Sequence, residues 1–516
     1  MSVANRVVKN TLFLYIRMGT SIIVSVLTTR ILLNALGASD FGLYNVVAGA
    51  LYMLGFLSVS MSSSTQRFLS YAEGEGDMYK IKTIFDTSIS LHWRIALLVC
   101  LLYIIAGVFF FNGVLNIPIG RESTAIIVYG CLIFSTVFSI TVAPYDAVLN
   151  AHENMFFYSV VGIVDVFLKL LIAILISYSD YDRLLFYGFL MAGESWLMRS
   201  VTKYYCIKTY EVCNSMNGIQ HNYSMMKKMA SFAGWNLMNI FAGMVSLYGM
   251  NIAINHFFGT LLNAALGIAT QLQGALMGVS VNMSKALTPV LVKKEGANQR
   301  LQMLGISYAG CKFSFLLFSF FALPILFSMP VVLRLWLKNV PEWTVLFCVL
   351  WFISGLVEQL YSFLYHAIQA EGNIKWVNIY SSIASIIPII LTCFEFHFGF
   401  QPYWAIINWI VFRIVMCGVI HLYYAHSLIG FSVIRWNRYV FIPCLASIAC
   451  LSCIYWQIRP QAYNGLMLQL SLVMSMYFIS VPIYWYVALS PEDRKVCASI
   501  IRFFIHNAIK FYDWNK

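Results

Sequence analysis

Charged side chains lie inside stretches of this sequence that are otherwise apolar. The basic ones are Arg17, Arg30, Arg67, Arg94, Lys169, Arg199, Lys312 and Arg413, and the acidic ones are Asp146, Asp165, Glu194, Glu358 and Glu395. If these stretches cross a membrane, each charge is costly unless it faces protein or water. We therefore treat these residues as candidates for binding a charged ligand or a coupling ion.

The basic residues favour an anionic ligand. On a helical wheel, four hydroxyl side chains fall on the same face as Arg17, and Arg30 points roughly to the opposite side. The four are Thr20, Ser21, Ser25 and Thr28. This face combines a guanidinium group with hydroxyl groups, which suits a water-filled cavity.

Arg67 follows a run of hydroxyl and amide side chains from Ser62 to Gln66. A guanidinium group can make paired hydrogen bonds to phosphate oxygens, so this cluster can receive a pyrophosphate head group. We predict that six cations bind the substrate, namely Arg17, Arg30, Arg67, Arg94, Arg199 and Lys312. The alternative for each is a structural ion pair or a side chain that reaches to the membrane surface.

The acidic residues are candidates for ion coupling. Asp165 and Lys169 are spaced i, i+4 on one helix and can neutralise each other. Glu194 and Arg199 are five residues apart, so neither is assured of the other as a partner. We predict Asp146, Glu194 and Glu358 as possible proton or cation coupling residues, with a structural role as the alternative for each.

Composition indicates a membrane protein built from helices. The chain has 60% hydrophobic and 10% charged residues and a mean hydropathy of +0.76. Apolar runs long enough to cross the hydrocarbon layer recur along the whole chain, and the alternation typical of a β-barrel is absent. We predict about fourteen spans, near 11–36, 42–71, 84–111, 124–150, 156–178, 184–208, 232–257, 262–291, 303–328, 344–369, 375–396, 403–427, 439–458 and 465–488.

The distribution of lysine and arginine predicts the orientation of these spans. Most basic residues fall in loops on the side of the N-terminus, so both termini are predicted to be cytoplasmic. These loops account for most of the net charge of +12, which therefore needs no nucleic-acid partner. After the last span, Ser490 and Asp493 can cap a helix that continues as an apolar segment with interspersed basic residues, typical of an interfacial helix.

The chain contains an internal repeat. Shifting Gly37–Asp77 by 222 residues aligns it with Gly259–Gln299 at seven identical positions, including Gly37/Gly259 and Glu73/Glu295. A second pair of motifs, AHEN at 151–154 and AEGN at 370–373, has an offset of 219. Two similar offsets indicate a duplicated half, an arrangement typical of transporters.

Several kinds of chemistry are absent from the sequence. It has neither a GxxxxGK[ST] phosphate-binding loop nor an HExxH metal site. The Asp180-Tyr-Asp182 motif lies on a loop too short for a transferase domain, and the histidines have no metal-ligand spacing. Cys450 and Cys453 form a CxxC motif inside an apolar run, where two buried thiols are expected. We predict no catalytic residue, no metal and no cofactor, and thus a protein that is not an enzyme.

Three stretches carry a family resemblance. They are NTLFLYIRMGTSIIVSVLTTRILLNALGASDFGLYNVVAGAL, QRFLSYAEGEGD and APYDAVLNAHENMFFYSVVGIVDVFLKLLIAIL, within the first 175 residues. They resemble the polysaccharide flippases that carry lipid-linked O-antigen or capsule repeat units, members of the multidrug/oligosaccharidyl-lipid/polysaccharide exporter superfamily. The resemblance extends to the second half through the repeat.

The resemblance implies an all-α polytopic fold, MATE-like, with two six-helix lobes related by a pseudo-twofold axis around a central cavity. Residues 1–208 would form the N-terminal lobe, 209–231 a cytoplasmic amphipathic linker and 232–428 the C-terminal lobe. Residues 439–488 would add two helices, and 489–516 a cytoplasmic interfacial helix.

The resemblance also implies a cargo. It would be an undecaprenyl-pyrophosphate-linked oligosaccharide, flipped to the outer leaflet of the bacterial inner membrane for polysaccharide assembly. The implied partners are this cargo, the bilayer and polysaccharide polymerase machinery. Two alternatives stay open. Relatives that flip lipid II rely on cavity arginines, which Arg17 and Arg30 resemble. Cation-coupled multidrug antiporters of the same fold generally use acidic cavity residues, and the first helix here has no carboxylate.

Overall fold

A computed structural model describes residues 3–52, 55–114, 117, 120–214, 222–337, 339–460 and 465–499. These residues form helices and no β-strand. The first half contains α1 (Val3–Tyr52), α2 (Phe56–Glu75), α3 (Met78–Phe109), α4 (Glu122–Ala151), α5 (Met155–Ser177) and α6 (Arg183–Thr209). The second half contains α7 (Tyr223–Gly296), α8 (Arg300–Phe327), α9 (Met329–Trp336), α10 (Thr344–Gln359), α11 (Ser362–Glu371), α12 (Lys375–His397), α13 (Trp404–Asn408), α14 (Cys417–Ile429), α15 (Val433–Trp436), α16 (Ile442–Ile458) and α17 (Leu466–Ile483).

The all-α polytopic fold that the sequence predicts is confirmed. Among the described residues, ten helices are long and apolar enough to cross a membrane, or eleven if the bent pair α10 and α11 is one span. The predicted count of about fourteen is not confirmed. One reason is that α7 covers two predicted spans, on either side of its break at Gly259, and is counted once. Another is that α2 and α6 carry more polar side chains than the other helices.

Large apolar side chains cover the outside of these helices. Ile23 is 66% exposed, Leu97 75% and Phe478 74%, and many other leucines, isoleucines and phenylalanines are similarly uncovered. A protein in water buries most such side chains, whereas a lipid environment accommodates them. The exposed apolar surface agrees with a multi-pass membrane protein.

Short polar side chains set where several helices begin. Asp77 accepts a hydrogen bond from the Lys80 backbone N–H at 3.0 Å, and Asn154 accepts one from Phe157 at 3.2 Å. These bonds satisfy backbone donors that have no partner within the first turn. Such caps end the connecting loops at defined residues and so fix which side chains face one another between helices.

Two glycines interrupt α1 and α7 at equivalent positions of the repeat. Gly37 has φ 76° and ψ 167°, and Gly259 has φ 83° and ψ −178°. Only glycine adopts this backbone conformation readily, because a Cβ atom would clash with the backbone. The sequence identity of these two residues therefore corresponds to the same break in both halves.

Two further pairs of equivalent residues share a left-handed backbone. At the offset of 222, Gly76 has φ 77° and Asn298 has φ 57°. At the offset of 219, Glu153 has φ 57° and Gly372 has φ 108°. Each lies at the end of a helix, where a left-handed residue turns the chain. The repeat inferred from sequence is thus visible in local backbone geometry.

The chain divides into two compact units. The N-terminal unit contains residues 10–237 and 296–298, and the C-terminal unit contains residues 1–9, 238–295 and 299–516. In the N-terminal unit, the Tyr103 hydroxyl donates to the Leu51 carbonyl at 2.7 Å, and the Tyr129 hydroxyl donates to the Tyr103 carbonyl at 2.6 Å. These two tyrosines tie α1, α3 and α4 into one core.

The predicted linker, 209–231, packs against the N-terminal unit where the structure describes it. Lys82 donates to the Val212 carbonyl at 3.2 Å, and the Ser64 hydroxyl donates to the Met229 carbonyl at 3.0 Å. Residues 215–221 of the linker lie outside the described part of the chain. Of the predicted interfacial helix, 489–516, the structure describes only residues up to 499.

The predicted cap of that helix is confirmed. The Ser490 hydroxyl accepts a hydrogen bond from the Asp493 backbone N–H at 3.2 Å, and the Ser490 backbone N–H donates to the Asp493 carboxylate at 3.0 Å. This reciprocal pair satisfies two backbone donors at the start of the helix, which begins at residue 491.

Candidate functional site

A cavity of about 330 Å³ lies within the N-terminal unit. Side chains from α1 and from α3 to α6 line it. Its polar lining consists of Tyr44, Tyr103, Ser135, Thr136, Ser139, Asp165, Lys169, Glu194, Ser195 and Arg199. The cavity therefore combines hydroxyl groups with four ionisable side chains inside a membrane-embedded bundle, where ionisable groups usually mark a functional path.

Ion pairs connect the charged residues of this cavity. Lys169 contacts Asp165 at 2.7 Å, which confirms the pairing that the i, i+4 spacing indicates. Arg199 contacts Asp146 at 3.2 Å. Glu194, which is 7% exposed, lines the same cavity as Asp165, and the two carboxyl groups interact electrostatically. Two carboxyl groups this close can share one proton, because two adjacent negative charges repel each other.

Three of the predicted site residues thus meet in one place. Arg199, Asp146 and Glu194 belong to the cavity network, although the sequence assigned the first to substrate binding and the other two to coupling. The network has three acids and two bases, so the charge balance depends on whether the pair of Asp165 and Glu194 holds a proton. The acidic side chains of this network can bind a cation or a proton, and the ion pairs fix the positions of the charged side chains.

Arg17 lies against α5. Its guanidinium group stacks over the Tyr158 ring, with the Cζ atom 4.4 Å from the ring centroid. Its side chain also crosses Gly162, where a Cβ atom would stand only 2.0 Å from Nε. Within the described residues, no carboxylate lies within ion-pair distance of Arg17. The arginine is therefore held by an aromatic face and a glycine and not by a counter-charge.

Arg67 is surrounded by aromatic rings. Its Cζ atom lies 4.8 Å from the ring centroids of Phe68 and Tyr71 and 5.6 Å from that of Phe232. Cation–π contacts of this kind stabilise a guanidinium group while its edge can still donate hydrogen bonds. Because Phe232 belongs to α7, this residue also ties α2 to the segment that follows the linker.

The remaining predicted cations have different surroundings. Arg30 is exposed. Arg94 is also exposed and donates to the Met226 sulfur at 3.0 Å. Lys312 is fully buried and pairs with Asp493 at 2.7 Å.

The Lys312 pair has a clear electrostatic consequence. The Lys312 Nζ also lies 4.2 Å from the Tyr439 ring centroid. Burial alone would raise the pKa of the Asp493 carboxyl group, but hydrogen bonds from Lys312 and from the Tyr439 hydroxyl lower it below its usual value. Both charges are almost fully removed from solvent and each satisfies the other. The Lys312 ammonium group is thus engaged with Asp493 and Tyr439.

Glu358 lies in the C-terminal unit, at the end of α10. It is partly exposed, and within the described residues no basic side chain lies within ion-pair distance of it. Arg413 is near enough to influence it electrostatically. Around these two charges stand Tyr365, His366 and His421. Reasoning from sequence found Glu358 and Arg413 as isolated charges but missed the two histidines, because they come from helices far apart in the chain.

No group of three histidine, cysteine, aspartate or glutamate side chains with the geometry of a metal site occurs in the described part of the chain. Cys450 and Cys453 are exposed on α16 and are not bonded to each other, which differs from the expected buried thiols. The face of α16 that carries them is therefore apolar surface and not core.

Solved structures share this fold. A crystal structure of MATE in the straight conformation superposes with a TM-score of 0.70 at 11% identity and covers 82% of this chain and 96% of its own. An outward-facing multidrug resistance MATE family transporter of the MOP superfamily gives a TM-score of 0.69 at 11% identity, with 83% and 98% covered.

A third structure is a MOP superfamily transporter from Pyrococcus furiosus, for which a reverse polarity of the binding pocket is said to suggest a different function. It gives a TM-score of 0.68 at 11% identity, with 83% and 98% covered. At this level of identity the likeness establishes a MATE-like fold and nothing finer. No protein-family profile and no curated protein sequence matches the chain.

Proposed function

We propose that this protein flips undecaprenyl-pyrophosphate-linked oligosaccharide repeat units from the cytoplasmic to the outer leaflet of a bacterial inner membrane by alternating access. The transported units would serve O-antigen, capsule or exopolysaccharide assembly, and polysaccharide polymerase machinery would receive them. A MATE-like fold supports transport, because the solved structures that share it are described as transporters. Both termini are cytoplasmic in this proposal.

The observation that carries the proposal is the environment of Arg17. It lies in a span from Arg6 to Gly37, stacks on Tyr158, and has no carboxylate partner among the described residues. A guanidinium group in this position needs an opposite charge, since an unpaired charge within a membrane is costly. The pyrophosphate of a lipid carrier supplies that charge, and paired N–H donors match its oxygens.

The rest of the cargo needs no further cations. Sugar hydroxyls would exchange hydrogen bonds with water and with hydroxyl side chains, and aromatic faces such as those around Arg67 suit the apolar face of a sugar ring. The polyprenyl tail can stay in the bilayer throughout. Only the head group has to cross the low-dielectric layer, where compensating positive charge along the path lowers the barrier.

Complementation tests the proposal. A host that makes the cargo but lacks its own flippase should regain surface polysaccharide when it expresses the wild-type chain. Arg17→Ala or Arg67→Ala should abolish that recovery, although the protein still reaches the membrane. Arg459→Ala is a matched control, because Arg459 also stacks on an aromatic ring but is exposed at the C-terminal end of α16. Unchanged polysaccharide in both site variants would remove these arginines from the mechanism.

A second candidate is a cation-coupled multidrug antiporter, which the contact between Asp165 and Glu194 favours. Two carboxyl groups that share a proton form a site for ion coupling, and antiporters need such a site. If this candidate is correct, expression should raise drug tolerance, and neutralising Asp146 or Glu358 should reverse the effect. A lipid II-type flippase would instead rescue loss of the host's lipid II flippase.

A further inference from the structure

Two imidazole rings lie beside the ring of Tyr365 in the C-terminal unit. The His421 ring stacks on Tyr365 with 5.1 Å between centroids and 29° between planes. The His366 ring lies 6.4 Å from Tyr365, at 52°. The Tyr365 hydroxyl donates to the side-chain amide oxygen of Asn378 at 2.9 Å. We call Glu358, Tyr365, His366, Arg413 and His421 the histidine cluster.

Several buried nitrogens of this region have no hydrogen-bond partner among the described residues. They are Nδ1 of His366, Nδ1 of His421, Nε of Arg413 and Nδ2 of Asn378. His421 is 7% exposed and Asn378 is fully buried. A buried nitrogen without a partner is costly, and an imidazole nitrogen can remove that cost by exchanging a proton or a hydrogen bond with an added ligand.

The charges around the two histidines come from few helices. Glu358 belongs to α10, and Tyr361 and Tyr365 come from the turn before α11 and from α11 itself. Arg413 comes from the segment between α13 and α14, and its Nη1 lies 3.5 Å from the sulfur of Cys417 at the start of α14. The facing residues of α7 and α12 that make contacts here are uncharged, namely Asn239, Asn378 and Ser381.

Two irregular helical segments of the C-terminal unit adjoin this cluster. α10 ends at Gln359 and α11 begins at Ser362, with a bend of 41° between them. A π-helix from Trp409 to Met416 connects α13 to α14 and carries Arg413. π-helical segments and broken spans are frequent at functional sites, because they change which side chains face the interior.

We propose that the histidine cluster binds a proton and exchanges it during each transport cycle. This inference rests on the proposed transport function and assigns protons as its coupling ion. The proton would pass from water to a free Nδ1 of His421 or His366 without any other bond breaking. Arg413 opposes the new positive charge on His421, and the Glu358 carboxylate near Arg413 weakens that opposition.

The opposition by Arg413 links proton binding to anion binding. When an anionic group approaches Arg413, it neutralises the charge that repels a proton on His421, so the two ligands favour each other. An anionic cargo would therefore promote proton uptake, and its release would promote proton loss.

Histidine hydrogen–deuterium exchange, read by mass spectrometry, tests the proposal on purified protein in nanodiscs without cargo. The exchange rate at the imidazole C2 position reports the titration of each histidine separately. We expect the C2 exchange rate of His421 or His366 to change with pH along a titration curve. Arg413→Gln should move its midpoint up by roughly one pH unit, and Glu358→Gln should move it down by a similar amount.

His397 is the internal control, because it is exposed at the end of α12, outside the histidine cluster, and its exchange should not differ between the variants. Arg413→Lys keeps the charge and should leave the midpoint within a few tenths of a unit. It serves as the second variant should Arg413→Gln not remain monodisperse. The proposal is overturned if neither cluster histidine titrates. It is also overturned if the midpoint of the histidine that titrates is the same in Arg413→Gln, Glu358→Gln and the wild type.

A vesicle arm connects the site to transport. With an imposed pH gradient, the wild type should flip a lipid-linked oligosaccharide faster, and His421→Gln together with His366→Gln should lose this acceleration. An acceleration that survives in the double variant would contradict the coupling role. If wild-type protein flips no cargo, the proposed function fails, while the titration result on the cargo-free protein still decides whether the proton site exists.

Discussion

Arg17 occupies the space that a side chain at position 162 would fill. In Gly162→Ala, the new methyl group would lie 2.0 Å from Nε and 2.5 Å from Cζ of Arg17, so the guanidinium group must leave the Tyr158 ring. We expect surface polysaccharide to fall about tenfold, the effect of roughly 1.4 kcal/mol. Quantitative immunoblotting of polysaccharide in a complemented host measures this.

The control for this variant is Gly130→Ala. Gly130 also lies in a membrane-embedded helix, but a Cβ atom there would meet nothing within 4 Å. It should leave polysaccharide unchanged. Equal activity of Gly162→Ala and wild type would mean that the position of Arg17 over α5 is irrelevant to transport.

Lys312 and Asp493 should behave as a structural pair. Lys312→Met leaves a buried carboxylate without its partner, which costs about 3–5 kcal/mol, whereas Lys312→Met combined with Asp493→Leu removes both charges and should recover most of the loss. Thermal unfolding of purified protein in detergent measures the difference. A double variant as unstable as the single one would argue against an isolated pair.

The pair of Lys312 and Asp493 also predicts how the melting temperature depends on pH. The pKa of Asp493 is lowered in the folded protein, so its contribution to stability is present above its unfolded value of 3.8 and is lost as the pH falls through the folded value. We expect the melting temperature of the wild type to drop below about pH 4 more steeply than that of Asp493→Asn. Parallel curves would contradict the assigned pairing.

At the residue scale, contacts between neighbours in sequence were predictable and distant ones were not. The spacing of Asp165 and Lys169 and the cap formed by Ser490 both follow from one turn of helix. The partners Arg199 and Asp146 come from different helices, and Lys312 and Asp493 lie 181 residues apart. These pairs depend on which helices pack together. The spacing of residues along one sequence does not reveal that packing.

The breaks in α1 and α7 depend on glycine. Gly37→Ala and Gly259→Ala would force a Cβ atom into a backbone conformation that costs about 1–3 kcal/mol for other residues. We expect each variant to lower the melting temperature by a few degrees. Gly42→Ala and Gly267→Ala are matched controls within the same helices, because a Cβ atom there meets nothing within 4 Å. If Gly37→Ala and Gly259→Ala lowered the melting temperature no more than the controls do, glycine would not be required at the two breaks.

Arg121 holds three helices together at one end of the N-terminal unit. It contacts Asp40 of α1 at 2.5 Å and Asp182, the cap of α6, at 2.6 Å. Burial raises the pKa of Asp40, and Arg121 counteracts this. Arg121→Ala should therefore lower thermal stability at neutral pH, where Asp40 would be buried and charged.

The pH dependence of the thermal stability of Arg121→Ala tests whether the charge on Asp40 causes the loss. A carboxyl group with a raised pKa favours the folded state in acid, and that contribution is lost as the pH rises through the folded pKa. Arg121→Ala should therefore regain stability near about pH 5, and adding Asp40→Asn should restore stability at about pH 7.5. A variant that stays equally unstable at both pH values would exclude Asp40 as the reason.

At the element scale, the apolar pattern predicted the type and position of the helices well. Helical segments cover the described part of each predicted span, because a long apolar segment in lipid satisfies its backbone only as a helix. The breaks were harder to predict. The bend between α10 and α11 and the π-helix at Trp409–Met416 have no glycine or proline at the break that would mark them in the sequence.

For the molecule as a whole, the duplicated halves are alike in where the backbone breaks and turns. Equivalent residues break and turn the chain in both halves, as Gly37 and Gly259 do, while the charged residues inside the predicted spans differ between them. The N-terminal unit carries Arg17 and the carboxyl pair of its cavity, and the C-terminal unit carries the histidine cluster. We interpret this division as similar scaffolds with different charges, one suited to an anionic head group and both able to exchange protons.

Reconstitution into liposomes tests most directly whether the protein flips a lipid-linked oligosaccharide and whether Arg17 is needed for it. Proteoliposomes that contain the purified chain and an undecaprenyl-pyrophosphate-linked oligosaccharide can be probed with a membrane-impermeant glycosidase that cleaves only outer-leaflet cargo. We expect the wild type to move cargo from the inner to the outer leaflet, where the enzyme cleaves it, and we expect Arg17→Ala not to do so. An inner pool that stays protected with the wild-type protein, or that is exposed equally by Arg17→Ala, would contradict this expectation.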